Sequence, residues 1–119
     1  MALAERAGLD ARCQAEMLLG DWIDSPGGHI QGPERHLMAA VLFDGVINCL
    51  NYAGATGVQG RKRFQEAFGW VCKPGIEYVF SFENVCDCLG LDPAALRRGI
   101  MSACNARAVQ QRKKSRRTF

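Results

Sequence analysis

FSFENVCDCLGLDPAALRRGI, residues 80–100, decides how this chain is read. Ser81 is a good helix N-cap. Phe80 before it and Val85 four residues into the helix are spaced to close a hydrophobic staple. The helix runs to Leu89, where Gly90 supplies the left-handed residue that ends it. Asp92 then caps a second helix, and Pro93 takes the first helical position, where its missing N–H costs nothing. Leu91 and Leu96 form a second staple. Two helices joined by Gly90-Leu91-Asp92 have the plan of a helix-turn-helix over residues 81–103. Cys86, four residues before the turn glycine, is small enough for the second helix to cross there. Val85, Leu89, Leu91, Leu96 and Ile100 are apolar where the unit must pack on other helices.

A helix-turn-helix lays its second helix in the major groove with the N-terminal residues toward the bases. On that helix Ala94, Ala95, Arg97, Arg98 and Met101 are the candidates for the outer face. Arg97 and Arg98 suit bidentate contacts to guanine or charge-assisted bonds to phosphate. Ser81 and Asn84, at the start of the first helix, are placed to reach phosphates beside free N–H groups. Helical hairpins with the same caps also occur in bundles that touch no nucleic acid.

The charge pattern weighs in favour of a polyanion. The 119 residues carry 15 basic and 12 acidic side chains, a net charge of +3. Residues 1–96 hold all 12 acidic residues and only 7 of the basic ones, a net of −5, whereas residues 97–119 hold 8 basic residues and no acid. The basic stretch starts inside the second helix and continues through Arg107, Arg112, Lys113, Lys114, Arg116 and Arg117. Residues 105–119 read as a disordered basic tail, suited to track a phosphate backbone or enter a minor groove. Such a tail by itself is often only a solubilising end.

Upstream, Glu34 to Tyr52 repeats apolar residues every three or four positions, at Leu37, Met38, Val41, Leu42, Val46 and Leu50. Arg35, Asp44 and Asn48 fall on its wetter side. GATGVQG, residues 54–60, stops this helix, and another runs from Arg61 to Val71, burying Phe64, Ala67, Phe68 and Val71. Arg61, Lys62 and Arg63 begin it, the end where cations oppose the helix dipole. They read first as solvated surface charge and second as contacts for a partner. After the Lys73-Pro74-Gly75 turn, Ile76 to Phe80 alternates like a strand without a pairing partner. It reads as an extended connection whose apolar residues plug the core.

Toward the N-terminus, Ala2 to Ile23 forms a helical arm (residues 1–24) interrupted by Gly8 and Gly20. LAERAGLD, residues 3–10, looks like the start of a helix-turn-helix, but Gln14 stands where an apolar residue is needed, so that reading is rejected. Residues 25–33 are too rich in Gly and Pro for a regular element and read as a flexible linker, leaving the arm loosely attached. The folded domain is then 34–104.

At 48% hydrophobic and 23% charged, the composition excludes wholesale disorder, and no apolar run reaches the roughly 18–20 residues of a membrane span. Charge in the first residues replaces the apolar block of a signal peptide, so the expected location is cytoplasmic. The six cysteines lack the spacing of a disulfide scaffold or a zinc site and read as free, mostly buried thiols. Cys86 and Cys88, two apart on a helix, point to different sides. His29 and His36 lie far from any cysteine pair. No cofactor or metal is expected, and with no nucleophile elbow or phosphate-binding loop, neither is catalysis. Cys49, Cys86 and Cys104 fall on helical faces that look buried, which makes them poor nucleophiles.

The stretch from Leu37 to Ile100 resembles a family of small, largely uncharacterised bacterial and phage proteins. The shared pattern is a helix near AAVLFDGVINCL (39–50), a basic helix ending in tryptophan, RKRFQEAFGWV (61–71), and FSF-x-N-x-C-x-x-LGLDP-x-x-LR from Phe80. Members usually carry an acidic loop after the tryptophan, where this chain has Cys72-Lys73-Pro74-Gly75. The resemblance implies a compact helical domain ending in a helix-turn-helix-like unit, and it carries no activity.

The sequence therefore predicts an all-α protein, a small helical bundle whose C-terminal helix-turn-helix and basic tail bind double-stranded DNA, as in a transcriptional regulator. The competing expectation is a protein-interaction module or homodimer whose tail contacts RNA or is disordered.

Overall fold

The structure is a computed structural model describing residues 11–20, 28 and 30–117, the last six of them by backbone alone. Every regular element among these residues is an α-helix: α1 (residues 11–20), α2 (Pro33–Tyr52), α3 (Val58–Cys72), α4 (Phe82–Leu89) and α5 (Pro93–Arg117). The fold is the small all-α bundle that the periodicity predicts. α2 is its axis and packs against α3, α4 and α5. Its buried stripe runs Met38, Leu42, Val46, Cys49 and Leu50. Leu37 belongs to the opposite side and is exposed. Among the described residues no helix is long and apolar enough to cross a membrane.

The α4–α5 hairpin forms as its caps dictate. Ser81 Oγ accepts the Asn84 N–H at 3.3 Å, and Asp92 Oδ1 accepts the Ala94 N–H at 3.1 Å. Gly90, at φ 78°, closes α4: its N–H donates to the Asp87 carbonyl at 3.1 Å, and the Leu91 N–H donates to the Cys86 carbonyl at 2.8 Å. This paired closure satisfies carbonyls that the helix end would otherwise leave open. α4 buries Phe82, Val85, Cys86, Cys88 and Leu89. Cys86 and Cys88 are thus both buried, because elements pack on α4 from more than one side.

Three expectations need correction. The first is the basic tail, which is not disordered over 105–117: α5 is helical without a break to Arg117. No Gly or Pro follows Gly99 before that point, the residues are good helix formers, and cations suit the C-terminal end of a helix. The second is residues 76–80, which do not plug the core. Ile76, Tyr78 and Val79 are 61%, 65% and 53% exposed, and only Phe80 turns partly inward. Side chains from all five helices already fill the core they would have entered.

The third is the N-terminal arm. Ala11, Ala15 and Leu19 are fully buried, so α1 is part of the core rather than loosely attached. In the expected linker, Gly28 lies against the backbone of Cys88–Gly90 too closely for any Cβ, and Ile30 packs on the core. The remaining linker residues before 30 and the LAERAGLD stretch lie outside the described residues. α3 also starts three residues earlier than expected, at Val58, which leaves Arg61 to Arg63 within its first two turns.

Candidate nucleic-acid interface

The outer surface of the α4–α5 hairpin was expected to hold the contacts. The structure divides those residues into two groups. Ser81, Asn84, Arg97 and Arg107 are committed to bonds within the protein. Ala94, Arg98 and Met101 face solvent. Ala95 is half-buried.

Arg97 is the clearest case. Its Nε donates to the Val71 carbonyl at 2.6 Å and an Nη to the Lys73 carbonyl at 3.1 Å, at the C-terminal end of α3. The same Nη lies 2.8 Å from Glu83 Oε2, and the guanidinium carbon sits 5.1 Å from the centre of the Phe82 ring. Glu83 in turn accepts the Gly75 N–H at 3.0 Å. That bond first, and the Arg97 guanidinium second, hold the Glu83 carboxyl below its ordinary 4.5. Arg97 therefore ties α3, the 73–80 loop, α4 and α5 together, with its Nε and one Nη committed to them. The sequence shows its charge but not this partnership, which spans 24 and 26 residues.

Arg107 does the same work elsewhere. Its Nε donates to the Leu50 carbonyl in the last turn of α2 at 2.7 Å, and an Nη to Gln14 of α1 at 3.2 Å. Arg35, read as wet, is half-buried and reaches toward the Leu89 carbonyl at the end of α4 at 3.4 Å. Three arginines are thus directed at the ends of three other helices, where unpaired carbonyls and the negative pole of the dipole favour a cation. No local signal marks them, because the acceptors are supplied by packing.

Ser81 and Asn84 are likewise spent. Asn84 Nδ2 donates to the Val79 carbonyl at 2.7 Å while its backbone N–H is held by Ser81. Glu83, Asp87 and Asp92 place three carboxylates in α4 and the turn before α5, whereas the cations of α5 gather toward its far end.

There α5 carries no acid over its 25 residues and finishes on Arg112, Lys113, Lys114, Arg116 and Arg117. Ala94, Arg98, Met101 and Asn105 recur at helical spacing along one exposed face that leads toward this end. Ser102, Ala106, Val109 and Gln110 of α5 are exposed as well.

A second surface was not anticipated. α2 and α3 enclose an open groove of about 520 Å³, lined among others by Asp44, Asn48, Tyr52, Lys62, Arg63 and Trp70. Trp70 Nε1 donates to the Phe80 carbonyl at 2.8 Å, and Arg63 donates to Tyr52 Oη at 3.3 Å.

The buried thiols are unreactive by environment. Burial pushes Cys49 and Cys86 up to about 12 and Cys104 up to about 11, and raises Cys88 as well. Among the described residues no group of three or more His, Cys, Asp or Glu side chains is placed to hold a metal ion. His36 is exposed on the first turns of α2, and His29 lies outside the described residues. No family model, no curated protein and no solved structure matches the chain.

Proposed function

We propose that this protein binds duplex DNA without catalysis, through α5, and that it serves as a transcriptional regulator. The observation that carries the reading is the charge of α5: 25 helical residues without an acid, ending in five cations within residues 112–117. Phosphates neutralised by such a helix release condensed counterions, which supplies affinity irrespective of sequence. Arg98, exposed with Ala94 and Met101, is the group available for a base edge. Arg97, Arg107, Ser81 and Asn84 position the helices instead.

The test is fluorescence anisotropy on mixed-sequence duplexes over a salt series. Each phosphate contact adds about 0.9 to the slope of log affinity against log salt. Deleting residues 112–119 should flatten that slope equally for every duplex. Arg98→Ala should erase preference between duplexes while leaving most of the slope. A full chain that binds no duplex at low salt would overturn the reading.

The exposed Ile76, Tyr78 and Val79 favour a second reading, a protein-interaction module. The two readings separate on the variant Ile76→Ser/Tyr78→Ser/Val79→Ser. It retains full DNA affinity if α5 is the working surface.

A further inference from the structure

We infer that Arg61, Lys62 and Arg63 of α3 and the cationic end of α5 form one composite site that grips a DNA phosphate backbone from two helices. The inference rests on the DNA-binding reading and adds a second contact element to it.

In sequence these two cation runs lie some fifty residues apart, and the fold brings the start of each to the α2–α3 turn. The α2–α3 turn is pressed onto α5: a Cβ on Gly54 would lie 2.9 Å from Ala108 Cα and 3.1 Å from Gln111 Cβ. Gly54 is at φ 79°, a conformation that side chains other than glycine rarely adopt, so backbone meets backbone here. On the other side of the same turn, a Cβ on Gly60 would lie 2.8 Å from Ala55 Cβ. Gln111 immediately precedes the α5 cations and Gly60 immediately precedes Arg61. The α2–α3 turn thus lies between the two runs, touching α5 one residue before its cations and leading into α3 one residue before Arg61. The Arg107 bond to Leu50 fixes the same junction from the α2 side.

Arg61, Lys62 and Arg63 are all exposed. Arg63 is partly occupied by Tyr52, with its guanidinium carbon 5.7 Å from the ring centre. Glu66, one turn further along α3, offsets part of the charge. This leaves Arg61 and Lys62 as the groups free to add to α5. Two runs of like charge brought to one junction raise the positive potential there in the free protein. A polyanion along this end relieves it, which is the complementarity that selects a phosphate backbone as the occupant.

The decisive variant is Arg61→Gln/Lys62→Gln in the full chain, measured by anisotropy on a mixed-sequence duplex over a salt series. Lys73→Gln, at the far end of α3, serves as the charge control, and circular dichroism melts check the fold of each. The composite site predicts a slope lower by about 1.8, for two lost phosphate contacts, and affinity weakened about tenfold or more at low salt. It also predicts that the double variant melts higher than the parent chain in low salt without DNA. An unchanged slope in the double variant, with binding lost on deletion of 112–119, would overturn the composite site and leave α5 binding intact. A fall of about 0.9 for Lys73→Gln, the same per charge as in the double variant, would overturn it too, since the charge would then act without location. No binding by the full chain at low salt removes both this inference and the reading beneath it.

Discussion

Arg97 turns a surface-like charge into a structural one, and its removal has two separable consequences. Arg97→Ala leaves the Val71 and Lys73 carbonyls without their donor and Glu83 without its counterion. Hydrogen bonds from a charged group to partly buried acceptors make this a loss of about 2 kcal/mol, or a melting point lower by roughly 8 °C. DNA affinity of the folded variant should hold at a temperature well below its melt. Glu83 gives the matching pH dependence. Its folded pKa is depressed, so its stabilisation is present above the ordinary carboxylate value of 4.5 and is lost as pH falls through the folded value. Glu83→Gln should therefore melt with a weaker acid dependence below about pH 5, checked by melts across pH. The thiols answer to burial instead, which raises their pKa. A thiol reagent at pH 8 should label exposed Cys13 and Cys72 quickly and reach Cys49, Cys86, Cys88 and Cys104 only on unfolding.

At the scale of the element, the α4–α5 hairpin is written almost entirely in local chemistry. Ser81→Ala removes one cap bond and should cost about 1 kcal/mol in a thermal melt. α2 and α3 depend instead on a close approach. A Cβ on Gly45 would lie 2.5 Å from Trp70 Cζ3, inside the ring's contact distance. Gly45→Ala must displace a ring that packs edge-on against Phe82 at 5.4 Å and is hydrogen-bonded to the Phe80 carbonyl. Overpacking of this kind costs about 1–3 kcal/mol and should appear as a changed tryptophan emission as well as a lower melting point. The expected burial of α3 illustrates the limit of periodicity. Phe64, Ala67 and Phe68 do lean on the core, but only Val71 is fully buried, because α3 sits at the side of the bundle with its other face to solvent.

For the whole molecule, burial and charge divide α5. Its inward residues, Leu96, Ile100 and Cys104, complete the core, and beyond Ala108 the described side chains are exposed. Deleting residues 112–119 should therefore leave the melting point within about 2 °C of the parent, a surface-sized effect, while removing most of the salt-dependent DNA affinity. The packing of α1 leads to the opposite expectation for the N-terminal segment. Leu19 is fully buried, and Leu19→Ala should cost about 2–4 kcal/mol, which a loosely tethered arm would not.

The sequence by itself determined the helical class, the α4–α5 hairpin with its caps at Ser81, Gly90 and Asp92, and the burial of Cys49, Cys86 and Cys104. These depend on groups within a few positions of one another or on the period of one helix, so their physics is contained in a short stretch of chain. Tertiary structure alone decided which arginines are structural. Arg35, Arg97 and Arg107 have the same chemistry as Arg98, and they differ only in that packing brings another helix's open carbonyls to them. It also decided the outward turn of Ile76, Tyr78 and Val79 and the meeting of the α2–α3 turn with α5, because space in a core is allotted by all its faces together.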